Sequence, residues 1–158
     1  MGTNALERMS VLETIKAYYL ESLPFNKVLG IGIENLDYDS GDAVVSFPMA
    51  PKLIGNSSAN ILHGGVSASV IDLTGGLSAL ISCAKLHEGS SLEVIQQKIF
   101  GSATIDMRVD YLRPGRGRFF QCKSEIIRAG SRIVVAKIDL FNDTKARIAT
   151  GTATYLIG

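Results

Sequence analysis

Sulfur and imidazole are scarce in this 158-residue chain, which has two cysteines and two histidines. Cys83 and Cys122 lie far apart with no C-x-x-C spacing, which excludes a dithiol redox motif and reads as reduced thiols of the cytoplasm. His63 and His87 have no thiol or carboxylate cluster at ligand spacing, so neither a metal nor another cofactor is expected. Charge of one sign is missing as well. Sixteen Lys and Arg against fifteen Asp and Glu leave +1, spread along the chain, which gives no basis for a nucleic-acid partner. The opening residues Met1 to Arg8 lack the basic end and apolar run of a signal peptide. Asp72 and several serines interrupt the most apolar run, so no membrane span is expected. There is no internal repeat, low-complexity stretch or linker. The expectation is one soluble cytoplasmic domain over residues 1–158.

What the chain does have is a stretch from Leu62 to Cys83 that is apolar or small nearly all the way round, the signature of a helix inside a fold. From Gly64 to Ser82 it would span roughly 28 Å. After His63 its one ionisable side chain is Asp72. A carboxylate withdrawn from water costs several kcal/mol unless something meets it, so Asp72 needs a purpose.

Around that helix the period of the sequence changes. Asn4-x-x-Glu7 is a capping box, and Leu6, Met9, Leu12, Ile15 and Tyr19 fall on one face of an N-terminal helix within residues 1–24 that Pro24 ends. Leu29, Ile31 and Ile33 alternate as a strand; Asp39-Ser40-Gly41-Asp42 turns the chain, and Ala43 to Phe47 returns to make a hairpin. Gly55 to Asn60 is a polar loop into the central helix. After that helix, Ser90-x-x-Glu93 opens a short amphipathic helix over 90–100, with Leu92, Ile95 and Ile99 inward, covering a core edge. Everything later alternates as strand: Ile105 to Tyr111, Arg118 to Ile127, Ile133 to Phe141 and Arg147 to Ile157. The fold class is therefore α+β, an antiparallel sheet wrapped around one long helix.

Chemistry concentrates at the helix. At its start the Gly64 and Gly65 amides are donors without intrahelical partners, backed by the helix dipole, and glycine admits a close approach. That is what an oxyanion hole requires, and Asp72 supplies a base or nucleophile against a carbonyl carbon. His63 and Asp72 are separated by roughly 13 Å and half a rotation, so one helix does not bring both ends to one carbonyl. Two antiparallel copies do, with Ser67, Ala68, Gly75 and Gly76 permitting their approach. Catalysis here thus implies a homodimer. The plainer alternative, an Asp that accepts structural hydrogen bonds and a His-Gly-Gly that merely starts a helix, stays open at this level.

Leu62-His63-Gly64-Gly65 followed by Asp72, with Asp106 to Pro114 later (DMRVDYLRP), resembles the PaaI-type hotdog-fold acyl-CoA thioesterases, and among them the YigI-like branch. The similarity runs from about Pro24 to the C-terminus. It implies hydrolysis of acyl-CoA, fatty acyl of medium to long chain, by a homodimer or dimer of dimers. By position it implies Asp72 as base or nucleophile, Gly64 as the carbonyl-oxygen donor, Gly65 beside it, His63 lining the pocket, and Thr104 helping to place water. Some relatives carry an asparagine six residues before the His; here that residue is Ser57, with Asn56 beside it. Given a phosphorylated CoA, the arginines of the late turns become candidates, among them Arg113, with Arg116 and Arg132 foremost. A non-catalytic acyl-CoA-binding module is the alternative; a dehydratase is disfavoured by the placement of His87.

Overall fold

A computed structural model describes residues 3–158, with side chains from residue 5 onward. The N-terminal helix α1 (Thr3–Ala17) runs into a π-helical turn, Tyr18–Ser22. Asn4 therefore falls inside the helix, and its side chain, with the expected capping box, lies outside the described residues. The buried stripe is Val11, Ile15 and Tyr19, while Leu6 and Met9 are exposed, so the inward face is rotated from the one the spacing suggested. Leu23 is extended (φ −101°, ψ 104°), as a residue before proline must be, and Pro24 opens a short helix α2 (Pro24–Leu29) instead of simply ending α1. Leu29 closes α2 and is not part of a strand.

The strands are β1 (Gly32–Leu36), β2 (Ala43–Pro48), a small hairpin β3 (Ile54–Asn56) with β4 (Ile61–Leu62) in the expected polar loop, then β5 (Ala103–Tyr111), β6 (Phe119–Ala129), β7 (Ile133–Asn142) and β8 (Arg147–Leu156). Six of them form one antiparallel sheet in the order β1-β2-β6-β7-β8-β5. Across it lies α3 (Gly64–Leu86), longer at its C-terminal end than the apolar run. Its 23 residues reach about 34 Å, matching the ten residues of β7 at about 33 Å. This is the hotdog arrangement.

Helix and sheet meet over Val70, Ile71, Leu77 and Ile81 from α3 and Val45, Phe120, Val134, Ile138 and Leu140 from the strands, all fully buried. Each such side chain stabilises by about 2 kcal/mol. By length and composition α3 is apolar enough to cross a membrane, so Asp72 and the serines do not interrupt it as expected from sequence; 67% of its most apolar 18-residue stretch is buried inside the fold. The core helix of a soluble protein passes that test as readily as a span does.

α4 (Leu92–Phe100) is capped by Ser91, not Ser90, and buries Ile95 and Ile99 with Leu92 left partly exposed. β5 departs most from expectation. It is an edge strand, and its alternation does not produce one buried face: Met107 and Val109 are half-buried while Ile105 and Tyr111 are 56% and 57% exposed.

Cys122 on β6 is fully buried, and burial, against a hydrogen bond with the Thr74 side chain, pushes its thiol from 9.0 up to about 12. A value raised by folding contributes stability that is complete below the unfolded value and is lost as pH rises through the folded one. The melting temperature is therefore expected to fall between about pH 9 and 12, less steeply in Cys122→Ala. Parallel slopes for the two proteins would remove the thiol from the account.

Candidate active site

His63 has non-helical backbone angles (φ −64°, ψ 134°) and caps α3, its Nδ1 accepting from the Gly65 N–H at 2.9 Å. That fixes Nδ1 as the unprotonated nitrogen and leaves Nε2 as the outward donor. It also occupies the Gly65 amide, so the expected role of Gly65 as a second donor to substrate is corrected: its N–H is spent on the cap. The Gly64 N–H, by contrast, has no partner among the described residues. The Gly64 carbonyl accepts from the Tyr111 hydroxyl at 2.9 Å, and the Tyr111 ring lies 3.4 Å from where a Gly64 Cβ would stand. The free end of the helix is thus one amide wide, aimed by an aromatic wall.

Two turns on, Asp72 is half-buried in the protomer and not sunk in the core. The Thr104 hydroxyl, from β5, donates to Asp72 Oδ1 at 2.9 Å, joining two residues that are 32 positions apart in sequence. Thr104 lies within β5, not ahead of it. Behind them the Tyr155 hydroxyl donates to the Asp72 carbonyl at 2.8 Å. An open cavity of about 240 Å³ lies against Asp72 and Thr104, walled by Tyr19, Leu23, Asn26 and Ser69. A second, of about 130 Å³, shares Tyr19, Leu23, Gly76 and Thr104 with it and continues to Ala79, Leu80 and Ile99.

Sequence reading missed the tyrosines of this site. Burial first, and then the negative charge of Asp72, push the phenols of Tyr19 and Tyr155 well above the ordinary tyrosine range, so both stay protonated. Their approach explains Gly75 and Gly76. A Cβ on Gly75 would collide with the Tyr155 hydroxyl, and one on Gly76 would stand 2.6 Å from that of Tyr19. These glycines make room for tyrosines of the same protomer, where spacing had suggested room for a neighbouring helix. Tyr111 was visible within the later motif; Tyr155, in a strand with no motif around it, carried no signal.

The other candidates divide by position. Arg116 donates to the Ala59 carbonyl at 3.3 Å and Arg113 to that of Arg147 at 2.8 Å, at the end of the sheet where α3 begins. Arg132 lies in the β6–β7 turn, at the far end of β7 and about 30 Å away, so one protomer does not gather it with the other two. Asn56 Oδ1 accepts from the Ser58 hydroxyl and the Ala59 N–H, which commits it to its own turn; the Ser57 hydroxyl makes no hydrogen bond among the described residues. Among the described residues no group of His, Cys, Asp and Glu has the makings of a metal site.

A family model described as the thioesterase superfamily matches residues 59–149, which takes in α3, the Asp72–Thr104 pair and the later strands. The chain belongs to the thioesterase superfamily. This thioesterase is 40% identical over 147 residues to a medium/long-chain acyl-CoA thioesterase YigI of Salmonella typhimurium, covering 93% of this chain and 94% of the relative. The YigI protein of Escherichia coli strain K12 matches to the same extent. A crystal structure from Shewanella oneidensis, described as related to the thioesterase superfamily, shares 41% identity and superposes with a TM-score of 0.90 over 96% of this chain and 98% of its own. The E. coli PaaI protein, at 19% identity and a TM-score of 0.74 over 94% of each chain, shares the fold.

Proposed function

We propose that this thioesterase hydrolyses acyl-CoA esters to free acid and CoA, with medium to long acyl chains preferred, at a site completed by a second copy of the chain. The Asp72–Thr104 hydrogen bond at the mouth of the cavity carries the reading. It holds one carboxylate oxygen and leaves the other to act as a base. Asp72 takes a proton from water, the water oxygen bonds to the thioester carbon, and the carbonyl oxygen gains charge. The C–S bond then breaks and the departing thiolate is reprotonated. The names of the curated relatives and the apolar continuation past Leu23, Leu80 and Ile99 support a fatty acyl group. Arg113 and Arg116, beside the start of α3, suit the phosphates of CoA. Two buried free thiols, Cys83 and Cys122, support a reducing, cytoplasmic setting.

The second copy follows from geometry. Gly64 and Asp72 are about 12 Å apart on one helix, too far to share a carbonyl. The outer edge of β5 is unpaired and carries exposed apolar side chains. Asp72 is bonded to Thr104 at one end of β5 and Gly64 to Tyr111 at the other. Antiparallel pairing of two β5 edges, centred between Met107 and Arg108, sets Thr104 opposite the second copy's Tyr111. The same step brings Asp72 toward the second copy's Gly64.

The test is in two parts. A panel of CoA esters from acetyl to palmitoyl is expected to show turnover rising with chain length; binding without turnover would leave only an acyl-CoA-binding module. Chains bearing Asp72→Asn or Gly64→Pro, each nearly inactive, are then mixed so that subunits exchange. About a quarter of the wild-type rate is expected to return, because half the dimers are mixed and each holds one intact site. No recovery would place acid and amide in the same chain.

A further inference from the structure

Resting on the hydrolytic reading above, we propose that Tyr19 is a further catalytic residue, its hydroxyl oxygen holding the water that Asp72 activates. Tyr19 is only 8% exposed, yet its hydroxyl makes no hydrogen bond among the described residues. No fully inaccessible side-chain nitrogen or oxygen in the described structure lacks a partner, so this hydroxyl must reach open space. The open space it reaches is the two cavities that meet at Gly76 and Thr104, both of which it lines and the larger of which Asp72 lines as well. A largely buried hydroxyl without a partner is unfavourable, and a water or substrate atom that completes it removes that penalty. Tyr155 is the contrast within the same site, since its hydroxyl is already committed to the Asp72 carbonyl.

The local backbone is built to deliver this one group. Tyr19 stands in the π-helical turn between α1 and α2, a wider turn that recurs at functional sites because it re-aims a side chain. Gly76 clears the space for the hydroxyl, as a methyl there would stand 2.6 Å from it. Its burial and the charge of Asp72 keep the phenol neutral, so its oxygen accepts a hydrogen from water without competing with Asp72 as a base. A water between the two gives one hydrogen to Asp72 and the other to the Tyr19 oxygen. A lone pair of the water oxygen then faces the thioester carbon. Tyr19 itself exchanges no proton, and the atoms balance as in the hydrolysis already described.

Two substitutions test the proposal, with kcat and KM measured on an acyl-CoA that the wild type turns over. Tyr19→Phe keeps the buried ring and removes the oxygen; kcat is expected to fall about tenfold with KM changed less than about twofold, the size of one lost hydrogen bond. Gly76→Ala keeps the oxygen and displaces it, and is expected to lower kcat severalfold. The double variant is expected to be no slower than Tyr19→Phe alone, because the displaced group is already gone. Wild-type kcat in Tyr19→Phe, or penalties that multiply in the double variant, would overturn the role of Tyr19. A wild type that turns over no acyl-CoA would overturn it together with the hydrolytic reading.

Discussion

Asp72→Asn is expected to lower kcat by about a thousandfold while the protein melts within a few degrees of wild type. General bases contribute factors of about 10² to 10⁴, and the proposed base is the one carboxylate that lines the cavity beside Thr104 among the described residues. The substitution keeps the shape of the side chain and keeps an Oδ1 that accepts from the Thr104 hydroxyl, so the 2.9 Å bond survives. Asp72 is half-buried, and its amide stays hydrogen-bonded and partly wet, so the core is not asked to absorb an unpaired group. What is lost is the charge and basicity of the oxygen facing the cavity. Release of CoA thiol, followed with a thiol reagent beside a thermal melt, measures both. A folded Asp72→Asn enzyme working at the wild-type rate would remove Asp72 from the chemistry.

Gly64→Pro is expected to cost 10²- to 10³-fold in kcat, the size of one oxyanion-hole donor. It is a clean deletion because Gly64 is the first residue of α3, where proline is tolerated and its fixed φ suits the helix. His63 before it is already extended (φ −64°, ψ 134°), the conformation a following proline demands. Its amide has no partner among the described residues to lose, and its carbonyl still accepts from Tyr111. The Cβ of the new residue would stand in ordinary contact with the Tyr111 ring, 3.4 Å away. Gly64→Ala, which keeps the N–H, is expected to retain most of the activity. If proline and alanine behave alike, the loss comes from bulk at the mouth and the amide is not the donor.

Much of this protein could be read from local pattern because local physics carries it. The long apolar run with a lone acid had to be a core helix, since nothing else buries so many side chains on every face. The alternation after residue 103 reads as antiparallel strand, and the His-Gly-Gly falls where the apolar run of the helix begins. Even the proposal of a second chain rested on the helical rise between Gly64 and Asp72. Which face of α1 turns inward did not: the expected stripe held Ile15 and Tyr19 but also Leu6 and Met9, which are exposed, while Val11 beside it is buried, and periodicity does not say where a stripe's centre meets its neighbours. β5 alternates as a buried strand does, but its place at the sheet edge leaves it uncovered in one protomer.

Sequence by itself determined the helix, the strands and the two ends of the candidate reaction centre, because each depends on neighbours a few positions away. Only the tertiary structure decided what surrounds Asp72. Thr104, Tyr155 and Tyr19 arrive there from a strand, a second strand and a π-helical turn, and their distances to Asp72 are set by how the sheet and α1 pack on α3. It also set Arg132 apart from Arg113 and Arg116, since arginines in successive turns fall at opposite ends of strands ten residues long. Residues far apart in sequence converge only through packing, and no local period records where that packing brings them.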